Sequence, residues 1–110
     1  MGAPPRLRAG AAACVYRVAR PPRGPASLAR ERPGWGAVEL ATSGSWNALA
    51  RALLEDALAE RPGGKLARDL ARFLVTPRGG ERTMSGEQLE AWLATWQPPL
   101  STIFPGRGKG

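Results

Sequence analysis

The chain reads SGSWNALARALLEDAL from Ser43 to Leu58, and this segment has the pattern of an amphipathic helix packed on a core. One broad apolar face collects the residues that recur at helical spacing, namely Trp46, Leu49, Ala50, Leu53, Leu54, Ala57 and Leu58. Ser43 and Ser45 stand directly before this run, where a hydroxyl can cap a helix N-terminus. The helix ends at Arg61-Pro62-Gly63-Gly64, because proline and glycine interrupt helical hydrogen bonding.

Two further helices are predicted downstream. The second begins near Lys65 and ends before Pro77, and its apolar stripe consists of Leu66, Leu70, Phe73 and Leu74. The third begins at Ser85-Gly86-Glu87-Gln88, a capping box in which the serine and glutamine side chains each bond a backbone N–H. Its apolar stripe consists of Leu89, Trp92, Leu93 and Trp96, and it ends at Pro98-Pro99. Such stripes must be covered, so the three helices are expected to pack on one another.

Two strands are predicted before the helices. Residues 12–20 alternate between two faces and include β-branched and aromatic side chains, and residues 35–41 (WGAVELA) are a second candidate. The two would pair antiparallel across Pro21–Gly34, which is read as an irregular connection, and residues 77–82 are read as a Gly-rich connection. The predicted fold class is therefore α+β and mostly helical: a short N-terminal antiparallel β-pair packed with three amphipathic helices.

Composition excludes several classes of function. The chain has no histidine, which removes the commonest general base and metal ligand, and no phosphate loop or nucleophile motif is present. We therefore predict a protein that is not an enzyme, with no catalytic residues, no metal site and no cofactor. Cys14 is the only cysteine, so no internal disulfide can form, and we expect a cytoplasmic protein. No apolar run is long enough to cross a membrane, so no membrane partner is expected.

The charge divides the chain into three parts. Residues 1–34 carry seven arginines against one acid, and we predict a basic Pro/Arg-rich arm with one short strand at about 12–20. Residues 35–97 are almost neutral and are predicted to form a compact, mainly helical domain. Residues 98–110 carry Arg107 and Lys109 without an acid and are predicted to be a basic Gly/Pro tail. The formal net charge of +7 thus lies mostly at the two ends.

The basic residues are the candidate nucleic-acid contacts, since cations without neighbouring acids bind phosphates. In the arm they are Arg6, Arg8, Arg17, Arg20, Arg23, Arg30 and Arg32, and on one face of the second helix they are Lys65, Arg68 and Arg72. The alternatives stay open: a solvated helix face, or an arginine content that reflects GC-rich codons. Trp35, between Gly34 and Gly36, is the candidate partner-binding residue, as its ring could stack on a base or anchor a protein, with core packing as the alternative.

Part of the chain resembles an uncharacterised family of small bacterial and phage domains, a domain of unknown function. The matching residues are Trp35-Gly36, Leu49-Ala50-Arg51-Ala52-Leu53-Leu54, Phe73, and Leu89 with Trp92-Leu93. The resemblance covers residues 35–97. It implies a short N-terminal β-region followed by three helices, and a bacterial or mobile-element setting, but no activity.

We predict a non-enzymatic accessory module that contacts nucleic acid through the basic arm and the basic face of the second helix. The first alternative is a purely protein-binding regulator, such as an inhibitor or assembly factor, of bacterial or phage origin. The second is an organellar ribonucleoprotein component with an Arg-rich N-terminal segment. The expected partners are a nucleic acid or an acidic protein surface, together with a protein partner for the helical body. The sequence leaves the oligomeric state open.

Overall fold

Four strands and three α-helices are found in residues 5–96, the part of the chain that the computed structural model describes. In chain order they are β1 (Val15–Ala19), β2 (Ala26–Arg32), β3 (Gly36–Ser43), α1 (Trp46–Ala57), α2 (Gly64–Leu74), β4 (Glu81–Ser85) and α3 (Gly86–Thr95). A short 3-10 turn, Ala11–Ala13, leads into β1. The predicted basic tail, residues 98–110, lies outside the described residues.

The strands form one antiparallel sheet in the order β3-β2-β1-β4. β1 and β2 are therefore the central strands, and β3 and β4 are the edges. β1 pairs with β2 through partners such as Val18 and Leu28, and with β4 through partners such as Tyr16 and Met84. The first three strands follow one another as a meander, whereas β4 joins the sheet only after α1 and α2. Both central strands thus come from the first 34 residues.

The prediction of a mostly helical protein with only an N-terminal β-pair is wrong. Residues 5–96 are about 39% helix and 29% strand, and the strands lie on both sides of α1 and α2 in the sequence. β2 occupies the segment read as an irregular connection, and it separates β1 from the strand predicted to pair with it. β4 occupies part of the segment read as a Gly-rich connection.

The hydrophobic pattern of the sequence does not predict β2 and β4 as strands, and the reason lies in their side chains. In β2 only Ala26 and Leu28 are buried, and the next residue on that face is Arg30, whose charge is met by Asp56 inside the protein. β4 (ERTMS) is an edge strand whose first three residues are exposed, so it tolerates polar side chains on both faces. A strand with small or charged inward positions shows little hydrophobic alternation, and periodicity does not reveal it.

The three helices lie where the helical spacing predicts them; α1 and α3 pack against the sheet, and α2 packs on α1. The fully buried side chains that make the core are Tyr16, Val18, Leu28, Leu49, Leu53, Leu54, Leu58, Leu70, Leu74, Leu89 and Leu93. The Ser45 hydroxyl accepts the Ala48 N–H at 3.1 Å and begins α1. The predicted capping box at α3 is confirmed, since the Ser85 hydroxyl accepts the backbone N–H of Gln88 at 3.0 Å and the side-chain Oε1 of Gln88 accepts the backbone N–H of Ser85 at 2.8 Å.

Candidate nucleic-acid interface

Five of the ten cations predicted to bind nucleic acid are engaged inside the protein. They are Arg8, Arg17, Arg20, Arg30 and Lys65, each of which donates to a carboxylate or a backbone carbonyl. Arg32 stacks on an aromatic ring. Arg6, Arg23, Arg68 and Arg72 are exposed, and within residues 5–96 their side chains make no ion pair. The structure therefore divides the predicted set into residues that hold the fold and residues that face solvent.

Arg17 lies on the uncovered face of the sheet, between two acidic side chains. Its Nε and Nη2 donate to the two carboxylate oxygens of Glu31 at 2.7 and 3.1 Å, and its Nη1 donates to Glu81 at 2.8 Å. The hydrogen bonds from Arg17 lower the pKa of the Glu31 carboxyl group below its ordinary value. The charge of Arg17 is thus balanced by neighbouring strands, which makes it a poor phosphate ligand.

Asp56, near the end of α1, connects this helix to the two central strands. Its carboxylate accepts the Tyr16 hydroxyl of β1 at 2.8 Å and pairs with the Arg30 guanidinium of β2. Burial and the hydrogen bond to Asp56 raise the pKa of the Tyr16 phenol above its ordinary value. The Tyr16-Asp56-Arg30 cluster is therefore a polar cross-link between helix and sheet, and it explains why Arg30 points inward.

The turn after β1 and the loop before β4 meet at one end of the sheet. The Arg20 N–H donates to the Gly80 carbonyl at 3.0 Å, and the Gly79 N–H donates to the Arg20 carbonyl at 2.7 Å. The Arg78 side chain also donates, from its Nη1, to the Pro22 carbonyl oxygen at 3.3 Å. These contacts bring Arg20, Arg23 and Arg78 to the same end, and we call these three residues the basic loop cluster.

Arg20 is the fixed member of the basic loop cluster. Its Nη1 donates to the Thr76 carbonyl oxygen at 3.0 Å, and its guanidinium lies 5.5 Å from the centroid of the Trp46 ring. Both partners are uncharged, so neither of them offsets the positive charge of Arg20. Arg23 follows it in the β1–β2 turn, Arg78 lies in the loop before β4, and both residues are exposed. The arrangement presents one ordered cation and two exposed ones.

A shallow groove of about 510 Å³ runs along this end of the sheet. The β1–β2 turn lines one side with Pro21, Pro22 and Pro25, whose fixed φ angles limit the motion of the turn. The only acid among the lining residues is Glu81, which is already paired with Arg17. The groove therefore has a proline-rich wall, and Arg20 is the cation among its lining residues.

The basic face of α2 is less uniform than its sequence indicates. Lys65 pairs with Asp69 at 3.5 Å, and the Trp96 indole N–H donates to the same carboxylate at 2.7 Å. The hydrogen bond from Trp96 and the nearby cations lower the pKa of Asp69. Arg68 and Arg72 are left as the exposed cations of this face. They lie on the helix that leads into the loop carrying Arg78.

Trp35 is on the surface and does not pack in the core. It is 76% exposed at the β2–β3 turn, and the Arg32 guanidinium lies 5.4 Å from its ring centroid. The other three tryptophans are half-buried against the core. The prediction that Trp35 binds a partner stays a prediction, but its ring is accessible and has a cation beside it.

Sequence reasoning does not find Arg78, Tyr16 or Asp56 as important residues. Arg78 and its acceptor Pro22 are 56 positions apart, and the two loops are paired by the sheet rather than by any local pattern. Asp56 follows Glu55 on a helix and resembles an ordinary surface acid. Only the three-dimensional position of β2 shows that Arg30 and Asp56 meet.

Two classes of feature are not observed in residues 5–96. No group of three or more histidine, cysteine, aspartate or glutamate side chains is arranged to hold a metal ion there. Nor does that part of the chain contain a helix with the length and apolar character needed to cross a membrane.

Comparison of the chain with protein-family models, with curated proteins and with solved structures found no match. The function must therefore be argued from the residues and their geometry.

Proposed function

We propose that this protein is a non-enzymatic module that binds nucleic acid, with the basic loop cluster as its main contact. The observation that carries the proposal is the junction between the two loops. Backbone hydrogen bonds between Arg20 and Gly79-Gly80 hold together segments that are far apart in sequence, and cations project from both. Because the two loops are already joined, little backbone entropy is lost when the arginines on them bind a phosphate backbone.

Arg68 and Arg72 of α2 supply a second contact in this proposal. Both are exposed, and α2 is followed directly by the loop that contains Arg78. Arginines on a helix and in loops contact phosphates and not base edges unless an element enters a groove. We therefore expect binding with little sequence preference and a steep dependence on salt.

The test is a binding titration of the full chain at several salt concentrations. Fluorescence anisotropy of labelled duplex DNA and of single-stranded RNA gives the affinity at each concentration. The variant Arg23→Gln with Arg78→Gln removes two cations from the basic loop cluster and keeps Arg20, which also holds the fold. On duplex DNA, the slope of log affinity against log salt should become less steep by about 2, roughly one unit for each phosphate-binding cation that the variant removes.

The matched control is Arg51→Gln with Arg61→Gln, which removes the same charge from α1 and the loop after it. Within residues 5–96 neither side chain makes an ion pair or a hydrogen bond to the fold. If the control weakens binding as much as the loop variant, net charge alone is responsible and the basic loop cluster is not the site. Absence of salt-dependent binding by the unmodified chain would overturn the proposal altogether.

A protein-binding regulator is the second candidate, and the exposure of Trp35 favours it. Trp35 is 76% exposed and lies beside Arg32, and tryptophan and arginine are both enriched among the residues that anchor protein interfaces. The protein-binding function would be supported if the chain does not bind nucleic acid and if Trp35→Ala abolishes association with a protein partner in calorimetry. Circular dichroism of the variant would check that the loss does not come from unfolding.

A further inference from the structure

A second basic site lies at the opposite end of β1 from the basic loop cluster. A cavity of about 160 Å³ opens there between the 3-10 turn, the ends of β1 and β2 and the end of α1. Its charged lining residues are Arg8, Arg30, Arg32 and Asp56. Three guanidinium groups thus face one carboxylate, which leaves an excess of positive charge in a small, solvent-accessible cavity.

Arg8 is held in place without losing its charge. Its Nε donates to the Asp56 carbonyl oxygen at 3.1 Å, and its Nη2 donates to the Glu55 carbonyl oxygen at 3.0 Å. These acceptors are the free carbonyls of the last turn of α1, where a cation is favoured by the helix dipole. Both are backbone groups, so the guanidinium is fixed but not neutralised.

Arg32 is the second uncompensated cation of the cavity. Its guanidinium lies 5.4 Å from the Trp35 ring centroid, and within residues 5–96 it makes no ion pair. Gly10 lies beside it, with a positive φ of 86° that favours glycine. A Cβ atom at position 10 would be 3.6 Å from the Arg32 Nη2, an ordinary contact distance, so the Gly10 backbone lies directly beside the guanidinium.

The single acid of the cavity is already satisfied. Asp56 accepts the Tyr16 hydroxyl and pairs with Arg30, so its carboxylate is bonded to the protein and is not available to neutralise Arg8 or Arg32. The charges of Arg8 and Arg32 have to be met by something else or by water. A cavity of this size holds a few water molecules, at about 30 Å³ each, or one tetrahedral oxyanion, and it is too small for a whole nucleotide.

We propose that this cavity binds one phosphate group, with Arg8 and Arg32 as its ligands. The planar fork of an arginine matches two phosphate oxygens, and two such forks suit a dianion. The phosphate can be free inorganic phosphate, or the terminal monoester of a larger molecule whose remainder stays outside. Trp35 positions Arg32 through the stacking contact. The site does not depend on the basic loop cluster, which lies at the other end of β1.

The experiment measures thermal unfolding of the full chain in inorganic phosphate and in chloride at equal ionic strength. Phosphate should raise the melting temperature in a saturable way, by roughly 4–8 °C at several times the dissociation constant. Arg32→Gln should abolish this rise, and Arg61→Gln, which removes an equal charge elsewhere, should keep it. Phosphate also stabilises proteins non-specifically, but that effect would be the same in both variants.

Arg32 is exposed and makes no ion pair in the described part of the chain, so Arg32→Gln is expected to fold, and circular dichroism checks this. A folded Arg32→Gln variant with an undiminished rise would overturn the proposal, as would the absence of a saturable rise in the unmodified chain. Oligonucleotides with a 5′-phosphate or a 5′-hydroxyl then identify the source. If the 5′-phosphate strengthens binding and Arg32→Gln removes the gain, the ligand is a phosphate end. If inorganic phosphate raises the melting temperature but a 5′-phosphate does not strengthen oligonucleotide binding, the ligand is the free phosphate ion.

Discussion

The two ends of β1 use arginine in different ways. Where the strand begins, Arg8 donates to the last carbonyls of α1, and Arg30 pairs with Asp56 inside the protein. Where the strand ends, Arg23 and Arg78 are exposed, and Arg78 has only one weak backbone contact. An arginine whose acceptor is a carboxylate is neutralised within the fold, whereas one that has only backbone acceptors, or none, keeps its charge available for a ligand. Composition counts both kinds equally, and only the contacts separate them.

The largest effect is expected from a substitution at Gly86, which packs against the 3-10 turn that precedes β1. This first residue of α3 donates its N–H to the Cys14 carbonyl at 2.7 Å, and a Cβ there would overlap the Ala11 carbonyl and come within 2.6 Å of the Ala12 Cα. Gly86→Ala must therefore displace the 3-10 turn or α3, and we expect a loss of about 3 kcal/mol in the free energy of unfolding, measured with urea.

Gly44 is the matched control, because it precedes α1 at the other end of the sheet. A Cβ at Gly44 would meet no atom within 4 Å, and its φ is not positive. Gly44→Ala should change the free energy of unfolding by less than about 0.5 kcal/mol. Equal losses in the two variants would show that the two ends do not differ in packing.

The next effect in size is expected at Asp56. Asp56→Ala leaves the Tyr16 hydroxyl and the Arg30 guanidinium without their common acceptor, in a region where the Asp56 side chain is only 18% exposed. We expect a loss of about 2 kcal/mol, below the cost of breaking a fully buried pair because Arg30 is partly solvated. Urea denaturation measures it, and Glu60→Ala, which removes an exposed acid nearby, should have little effect. A loss of the same size in both variants would mean that the cross-link does not stabilise the fold.

Sequence pattern succeeds where the physics is local. The helix of Trp46–Ala57 and the capping box at Ser85 and Gln88 depend on residues within four positions of each other, and both are found where they are predicted. β2 and β4 depend on distant partners. Arg30 becomes an inward-facing strand residue only because Asp56 reaches it, so its charge favours a loop when the sequence is read alone.

The candidate sites follow the same division between local and distant information. Arg20 and Arg23 are predicted as cations, but their partner Arg78 comes from a loop that the sheet brings to them. The phosphate-sized cavity is not predicted at all, since it requires Arg8, Arg32 and the end of α1 to converge. The sequence therefore predicts the kind of charge available, and the topology determines which charges act together.

The smallest effect is expected on the uncovered face of the sheet, where Arg17 pairs with Glu31 and Glu81. The pKa of Glu31 is lowered in the folded protein, chiefly by its hydrogen bonds from Arg17. A carboxyl group with a lowered pKa stabilises the fold above the pKa of the unfolded chain, and this contribution is lost as the pH falls through the folded value. Stability should therefore decline on acidification below about pH 5, and Glu31→Gln should make that decline shallower.

Urea denaturation between pH 7 and pH 3 measures the slope for the unmodified chain and for Glu31→Gln. Glu87→Gln is the matched control, because Glu87 is exposed in the first turn of α3 and makes no ion pair within residues 5–96. The slope for Glu31→Gln should be only slightly shallower than the slope for the unmodified chain, since exposed ion pairs contribute little to stability. The slope for Glu87→Gln should match that of the unmodified chain. If Glu31→Gln lowered the free energy of unfolding at pH 7 as much as Asp56→Ala does, the uncovered face would be as important to the fold as the polar cross-link. The expectation that an exposed ion pair contributes less than the polar cross-link would then have to be abandoned.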